Sequence, residues 1–283
     1  MKRLFSCLMI ICVLPVIASC AKAPEMSGTM GVAVSIFPIY DITRAIAGEK
    51  ARVYSAIPSG ADPHTFEPRP STARELGSCA LFIGVAPEFD GWIERFLPRD
   101  AARTYLMAGD GKTHENPHIW LSVKKAKGIA AAIAAALEER DPANRAHYRR
   151  KLAEYTRRLN NLDASIAALF AGTKERTFIQ WHEAWNYFAS DYGLTILGTV
   201  QGEGSEKASV RSIGRIVREA RLKGVTLIVM SEGVDDRGAR VLAKEIGGRI
   251  VRLDGIGDPD AVDRSDYIRL MRYNATALAG AFR

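Results

Sequence analysis

The sequence predicts an α/β protein of two parallel-sheet α/β lobes joined by one long rigid linker helix. Three observations carry the architecture. From Gly31 onward, short apolar runs alternate with amphipathic stretches. The alternation stops for a long helical segment in the middle of the chain, and then it restarts. Strands alternating with helices imply parallel sheets covered on both faces. No internal sequence repeat accompanies the restart.

In the first lobe, Gly31–Phe37, Ala51–Ile57, Cys79–Val85 and Ala102–Met107 read as strands, each short, apolar and bounded by Gly, Pro or polar turns. In the second, Arg176–Trp181, Leu194–Val200, Val225–Met230 and Arg249–Leu253 read the same way. Between them, Ala126–Arg140 is an Ala-rich helix ending near Asp141-Pro142, and Pro142 suits the first turn of a following helix. From there to Ala171, apolar residues recur at Leu152, Tyr155, Leu159, Leu162, Ile166 and Leu169. Steps of three and four are helical, and about thirty residues would span roughly 45 Å. Gly172 closes the helix as a C-cap glycine would. The expected organisation is a leader over 1–19, an anchor and tether over 20–29, a lobe over 30–141, the linker helix over 142–172 and a lobe over 173–283.

Lys2 and Arg3, followed by an apolar run from Leu4 to Ile17 and the small pair Ala18-Ser19, have the layout of a secretion signal. The run is too short for a spanning helix. Ile17-Ala18-Ser19-Cys20 resembles a bacterial lipobox, which implies a lipidated Cys20 at the mature N-terminus. The segment from Ala21 to Thr29 then serves as a tether. Cys7 and Cys12 leave with the signal, so Cys79 stands alone in an apolar stretch and reads as a small buried hydrophobe. Loss of Lys2 and Arg3 lowers the basic count from 39 to 37 against 32 acids, a net charge of about +5. The charges are interspersed, and no basic run with interleaved aromatics points to nucleic acid. The expected product is an extracytoplasmic, membrane-anchored monomer.

The chain has five histidines, and three follow predicted strands: His64, His118 and His182. Asp254 directly follows the last strand. Ligands of open α/β sheets bind at strand ends, which puts the candidate metal site in the cleft between the lobes, and three imidazoles with one carboxylate suit tetrahedral zinc. Taken singly, each histidine is more often a packing or capping residue than a ligand, and Asp254 before Gly255 is common turn chemistry. Glu67 and Glu183 are candidate acceptors for orienting imidazoles. Trp120, Trp181 and Trp185 are expected to pack around the site, His147 to be an exposed helical residue, and Met230-Ser231-Glu232-Gly233 to line the cleft.

The stretch Gly60-Ala61-Asp62-Pro63-His64-Thr65-Phe66-Glu67-Pro68-Arg69-Pro70-Ser71 resembles the most characteristic motif of the zinc- and manganese-binding receptors of ABC uptake transporters. Asn116-Pro117-His118-Ile119-Trp120-Leu121-Ser122 is similar to their second motif. The third is matched by His182-Glu183-Ala184-Trp185-Asn186-Tyr187-Phe188-Ala189-Ser190-Asp191-Tyr192-Gly193-Leu194. The resemblance implies ligands His64, His118, His182 and Asp254 for a transported divalent ion, and an ABC permease as partner. Manganese-type members tend to carry glutamate at the place of His182, so zinc is expected, with manganese as the alternative. Two departures stand out: the loop 108–115 is short and offers only His114, and Glu203-Gly204-Ser205-Glu206 replaces the family's usual proline-containing turn. A metal-containing surface adhesin and a secreted zinc hydrolase are the rivals. Against the hydrolase, four ligands would close the sphere that catalysis leaves open, and residues 182–186 lack the His-Glu-x-x-His pattern.

Overall fold

The structure is a computed structural model describing residues 29–59, 61, 66, 68–107, 116–202 and 209–282. Among these residues eight strands form two four-stranded parallel sheets. The first contains β1 (Met30–Val34), β2 (Ala51–Ser55), β3 (Leu81–Gly84) and β4 (Ala102–Tyr105); the second contains β5 (Thr177–His182), β6 (Thr195–Gln201), β7 (Leu227–Ser231) and β8 (Arg249–Leu253). Their orders are β2-β1-β3-β4 and β6-β5-β7-β8, so both lobes wind alike. In each, successive connections leave the first strand in opposite directions. That reversal opens a crevice at the carboxyl ends of the two central strands.

The helices of the first lobe are α1 (Phe37–Ala47), α2 (Pro70–Leu76), α3 (Pro87–Asp90) and α4 (Val123–Arg140). The linker is α5 (Arg145–Ala171), and α6 (Asn186–Tyr192), α7 (Val210–Lys223), α8 (Arg237–Ile246) and α9 (Tyr267–Ala281) belong to the second lobe. All eight expected strands form; the last has the expected bounds, and the others differ at their ends by one to three residues. The first stops at Val34 because Ile36 is already the N-cap of α1, whose first turn holds Pro38. The Ala-rich helix starts three residues earlier than expected, at Val123, because the Ser122 hydroxyl accepts from Lys125 N at 2.9 Å and caps it.

The linker helix runs for 27 residues after a short 3-10 turn at Pro142–Asn144. Its buried stripe is Tyr148, Tyr155, Leu159, Leu162, Ile166 and Phe170, and it packs on α4, α1 and α9. One apolar core therefore runs from Val32 and Ile39 of the first lobe through Leu159 to Phe188 and Met271 of the second. Sharing a core through one continuous helix makes the linker a strut. Gly172 ends it at φ −94, outside the left-handed region, so the glycine is permitted there rather than required. His147 is not a plain exposed residue. It is half-buried, with Nε2 3.1 Å from the Ala47 carbonyl at the end of α1. Gly48, at φ +58, leaves room for that ring. Cys79 is buried and free, as expected.

Candidate metal centre

His182 is the last residue of β5, a central strand of the second sheet. The turn after it is held from beneath by Gln180, which is fully buried. Its Nε2 donates to Asn186 Oδ1 at 2.8 Å and Thr199 Oγ1 at 2.9 Å, and its Oε1 accepts from Trp185 N at 3.2 Å. A buried amide satisfied on both ends fixes the turn, since leaving either end unpaired would cost the full desolvation of that group.

His118 belongs to the first lobe by sequence, yet the segment around it is bonded to the second. Asn116 Nδ2 donates to the Glu183 carbonyl at 2.8 Å, and Tyr187 donates to the Asn116 carbonyl at 3.0 Å. The Trp120 indole donates to the Gly255 carbonyl at 2.7 Å, and the Tyr267 hydroxyl donates to the Trp120 carbonyl at 2.7 Å. Further along, the Ser122 hydroxyl donates to Asp191 Oδ2 at 2.5 Å. At the base of the joint, Asp41 of α1 accepts from Tyr267 N, the first residue of α9, at 2.9 Å. Burial pushes the Asp41 carboxyl up, against that hydrogen bond. His118 is 5 % exposed and its ring lies 5.0 Å from that of Trp120.

The His118 ring is oriented by Asn116. Its Nδ1 lies 2.8 Å from Asn116 Oδ1, an atom that can only accept, so neutral His118 carries its proton on Nδ1 and presents a lone pair at Nε2. That Nε2 faces Nε2 of His182 at 3.3 Å. Two nitrogens bound to one tetrahedral zinc at ~2.0–2.1 Å are themselves about 3.3 Å apart, so the pair has the spacing of two zinc ligands.

Both imidazoles line a cavity of about 610 Å³ between the lobes, together with Ala61, Phe89, Trp181, Glu232, Asp254 and Arg264. Asp254 lines the same cavity, in an Asx turn. Oδ1 accepts from Ile256 N at 2.9 Å and Gly257 N at 2.8 Å, and Gly257 adopts φ +83. Asn274 brackets the Asp254 backbone, accepting from its N at 2.8 Å and donating to its O at 2.6 Å. Oδ2 faces Arg264. Among the described residues, no three His, Cys, Asp or Glu side chains gather closely enough to hold an ion. The structure thus brings His118 and His182 together and places Asp254 in the same cavity, apart from them. His64, Glu67, His114, Cys20 and the turn 203–206 lie outside the described residues. A second cavity, of about 490 Å³ between β6 and α7, is lined by Thr199, Ser212, Arg215 and Glu219 and holds no imidazole.

Asp90, fully buried, follows the cavity-lining Phe89 in the first lobe. Its carboxylate accepts from Val85 N at 2.6 Å and Ala86 N at 3.2 Å, pinning the end of β3. Burial pushes this carboxyl up to about 6, against those hydrogen bonds.

Two residues of the site escape a reading of the sequence for ligand types. Asn116 orients an imidazole, a role Glu183 does not fill: the Glu183 carboxylate accepts from Asn186 at 3.3 Å. The available signal was an Asx residue two positions before a histidine. Arg264 carried no signal, since an arginine between Asp263 and Ser265 reads as surface. Trp120 packs beside His118 as expected and also ties it to the Asp254 loop.

Two parallel-sheet lobes are thus joined by a helical strut, with two imidazoles facing each other in the cleft between them. Residues 32–281 match the family described as ZnuA, the periplasmic zinc-uptake complex component A, and the chain belongs to that family. It is 25 % identical to the high-affinity zinc uptake system protein ZnuA of Bacillus subtilis, over 91 % of this chain and 89 % of that protein. It is 24 % identical to the zinc-binding lipoprotein AdcA of Streptococcus pneumoniae R6, over 98 % of this chain. The chain spans 60 % of that AdcA protein's length. Among solved structures, a zinc-bound deletion mutant of ZnuA superposes with a TM-score of 0.78 at 25 % identity, over 89 % of this chain and 98 % of that one. A manganese-bound periplasmic metal-binding protein from Candidatus Liberibacter asiaticus shares the fold at a TM-score of 0.80 and 19 % identity, over 90 % of this chain and 100 % of that one. Structural relatives with zinc and with manganese bound thus share this fold.

Proposed function

We propose that the protein is an extracytoplasmic receptor that captures a divalent transition metal, zinc in preference to manganese, and delivers it to an ABC permease. The observation that carries this reading is the 3.3 Å approach of two Nε2 atoms in the inter-lobe cleft, one of them with its lone pair set by Asn116. His64 and Asp254 complete the proposed ligand set. Lipidation at Cys20 holds the receptor at the membrane; no helix among the described residues is long and apolar enough to cross one. The chemistry is reversible coordination with no bond made or broken in a substrate. Protons compete with the ion for imidazole lone pairs, so affinity falls as the solution is acidified.

The test is native mass spectrometry of the untagged chain from Ala21 onward, stripped of metal and offered zinc and manganese together in limiting amounts. One retained zinc, lost at mildly acid pH, is the expected result. One retained manganese would transfer the specificity to the carboxylates. Retention of neither would remove the site and leave the adhesin reading, whose mutant grows normally under metal starvation.

A further inference from the structure

We propose that Arg264 is a specificity-determining residue of the cleft: its guanidinium competes with the captured ion for Asp254, weakening the carboxylate ligand relative to the imidazole pair. This rests on the receptor reading above and names how the site chooses its ion. The Nε of Arg264 lies 3.1 Å from Asp254 Oδ2, with both side chains largely buried (22 % and 14 % exposed). That Nε has no hydrogen bond of acceptable geometry, so the contact is a coulombic one held off the donor line. A pair of that kind is weaker than a charge-assisted hydrogen bond and is open to exchange.

The rest of Arg264 is fixed. Its Nη1 donates to Glu232 Oε1 at 3.2 Å, and Nη2 lies 3.1 Å from Glu232 Oε2. The guanidinium also sits over the Tyr273 ring at 5.0 Å, while the Tyr273 hydroxyl donates to the same Glu232 oxygen at 2.7 Å. Asp263 approaches Nη1 at 4.0 Å from the exposed side. The guanidinium is thus held from the Glu232 side while Asp254 is held from the other, with Oδ1 committed to Ile256 N and Gly257 N. Only Oδ2 remains for an ion, and it is the oxygen that Arg264 faces. Glu232, Asp254 and Arg264 all line the cavity that contains His118 and His182.

The consequence follows from ligand preference. Zinc draws much of its binding from imidazole and loses little when the carboxylate is shared, whereas manganese depends on carboxylate oxygen and loses more. Arg264 therefore separates the two ions without touching either.

The experiment measures zinc and manganese dissociation constants by chelator competition for the parent chain, Arg264→Gln, Arg264→Lys, Asp254→Asn and the double variant Arg264→Gln/Asp254→Asn. In Arg264→Gln the manganese affinity should rise by up to about tenfold more than the zinc affinity, within the size of one ordinary polar contact. Arg264→Lys, which keeps the charge and loses the fork, should fall between Gln and the parent. In the Asp254→Asn background the Gln substitution should leave the zinc-to-manganese ratio unchanged. A similar change of ratio in both backgrounds would mean a general field effect and would overturn the proposal. Tight zinc with an unchanged ratio in Arg264→Gln overturns it alone, whereas a parent chain that binds neither ion overturns the receptor reading itself.

Discussion

At one end of the cleft His118 is held by a neutral amide, with Nδ1 2.8 Å from Asn116 Oδ1 and Nε2 directed at His182. At the other end Asp254 is held by two backbone amides and a cation, with Arg264 3.1 Å from its outer oxygen. The first arrangement directs a ring nitrogen at a second imidazole; the second sets a cation against a carboxylate. The two ends are nevertheless mechanically joined, because the Trp120 indole, two residues from His118, donates to the carbonyl of Gly255, next to Asp254. The lesson is that the proposed ligands are graded, with one imidazole oriented by a neutral amide and the carboxylate engaged by a cation.

The largest effect separates the ends directly. His118→Ala or His182→Ala should lower zinc affinity by more than the ~100-fold that bounds outer-shell substitutions, whereas Asp254→Asn should cost zinc less than either. Competition titration with a chromophoric chelator ranks the three, and an Asp254 variant weaker than both histidine variants would reverse the comparison. His182→Glu should move preference toward manganese, since it replaces a nitrogen donor with oxygen.

The next effect tests readiness. Asn116→Ala should weaken zinc about 10- to 100-fold, because the His118 ring loses the partner that sets its tautomer and rotation. Long-range ¹H–¹⁵N correlation of the metal-free chain reads the tautomer independently of binding. A ring that stays protonated at Nδ1 in Asn116→Ala would remove Asn116 from the role.

What was legible in the sequence, and what was not, follows the same division. The eight strands and the strut were readable because apolar runs and steps of three and four are local, and His182 was readable because a strand end is local too. The pairing that makes the site is not: Asn116 reaches Glu183 across 67 positions, and Ser122 reaches Asp191 across 69. Nothing in a one-dimensional pattern says that His118, placed in the first lobe, is bonded to the second. Glu232 was expected in the cleft and lines it, but Arg264 and its pairing with Glu232 were missed for a different reason. They are 32 positions apart and become chemistry only when the ends of β7 and β8 bring both beside Asp254. His147 misled because its position on a polar helix looked exposed, while the glycine that admits it sits in another helix's cap.

A contrasting carboxylate sharpens the Asp254 end. Asp90 is fully buried, and the groups that hold it are backbone amides rather than a guanidinium. Its folded carboxyl, near 6, lies above the unfolded value of 3.8, so between those values the native state keeps a proton that the unfolded chain has lost. Stability therefore falls as pH rises from about 4 to about 6 and is flat above that. The step is at most about 3 kcal/mol, from ~1.36 kcal/mol per pH unit. Denaturant unfolding of the metal-free chain, compared with Asp90→Asn across that range, should show the step in the parent and not in the variant. A parent-to-variant difference that does not change with pH would place the Asp90 carboxyl in the ordinary carboxylate range.

The smallest effect tests the joint between the ends. Trp120→Phe keeps most of the buried ring against His118 and Phe89 but removes the donor to the Gly255 carbonyl. Stability should fall by about 1–2 kcal/mol, the cost of one buried hydrogen bond with its acceptor left unpaired. If the two ends are coupled through this bond, the Asp254 loop is freed relative to His118, and the benefit that Arg264→Gln gives manganese should change in the Trp120→Phe background. Double-mutant cycles on the manganese constant measure that coupling. Additive changes would mean that the amide-held imidazole and the guanidinium-held carboxylate act on the ion as independent walls of one cleft.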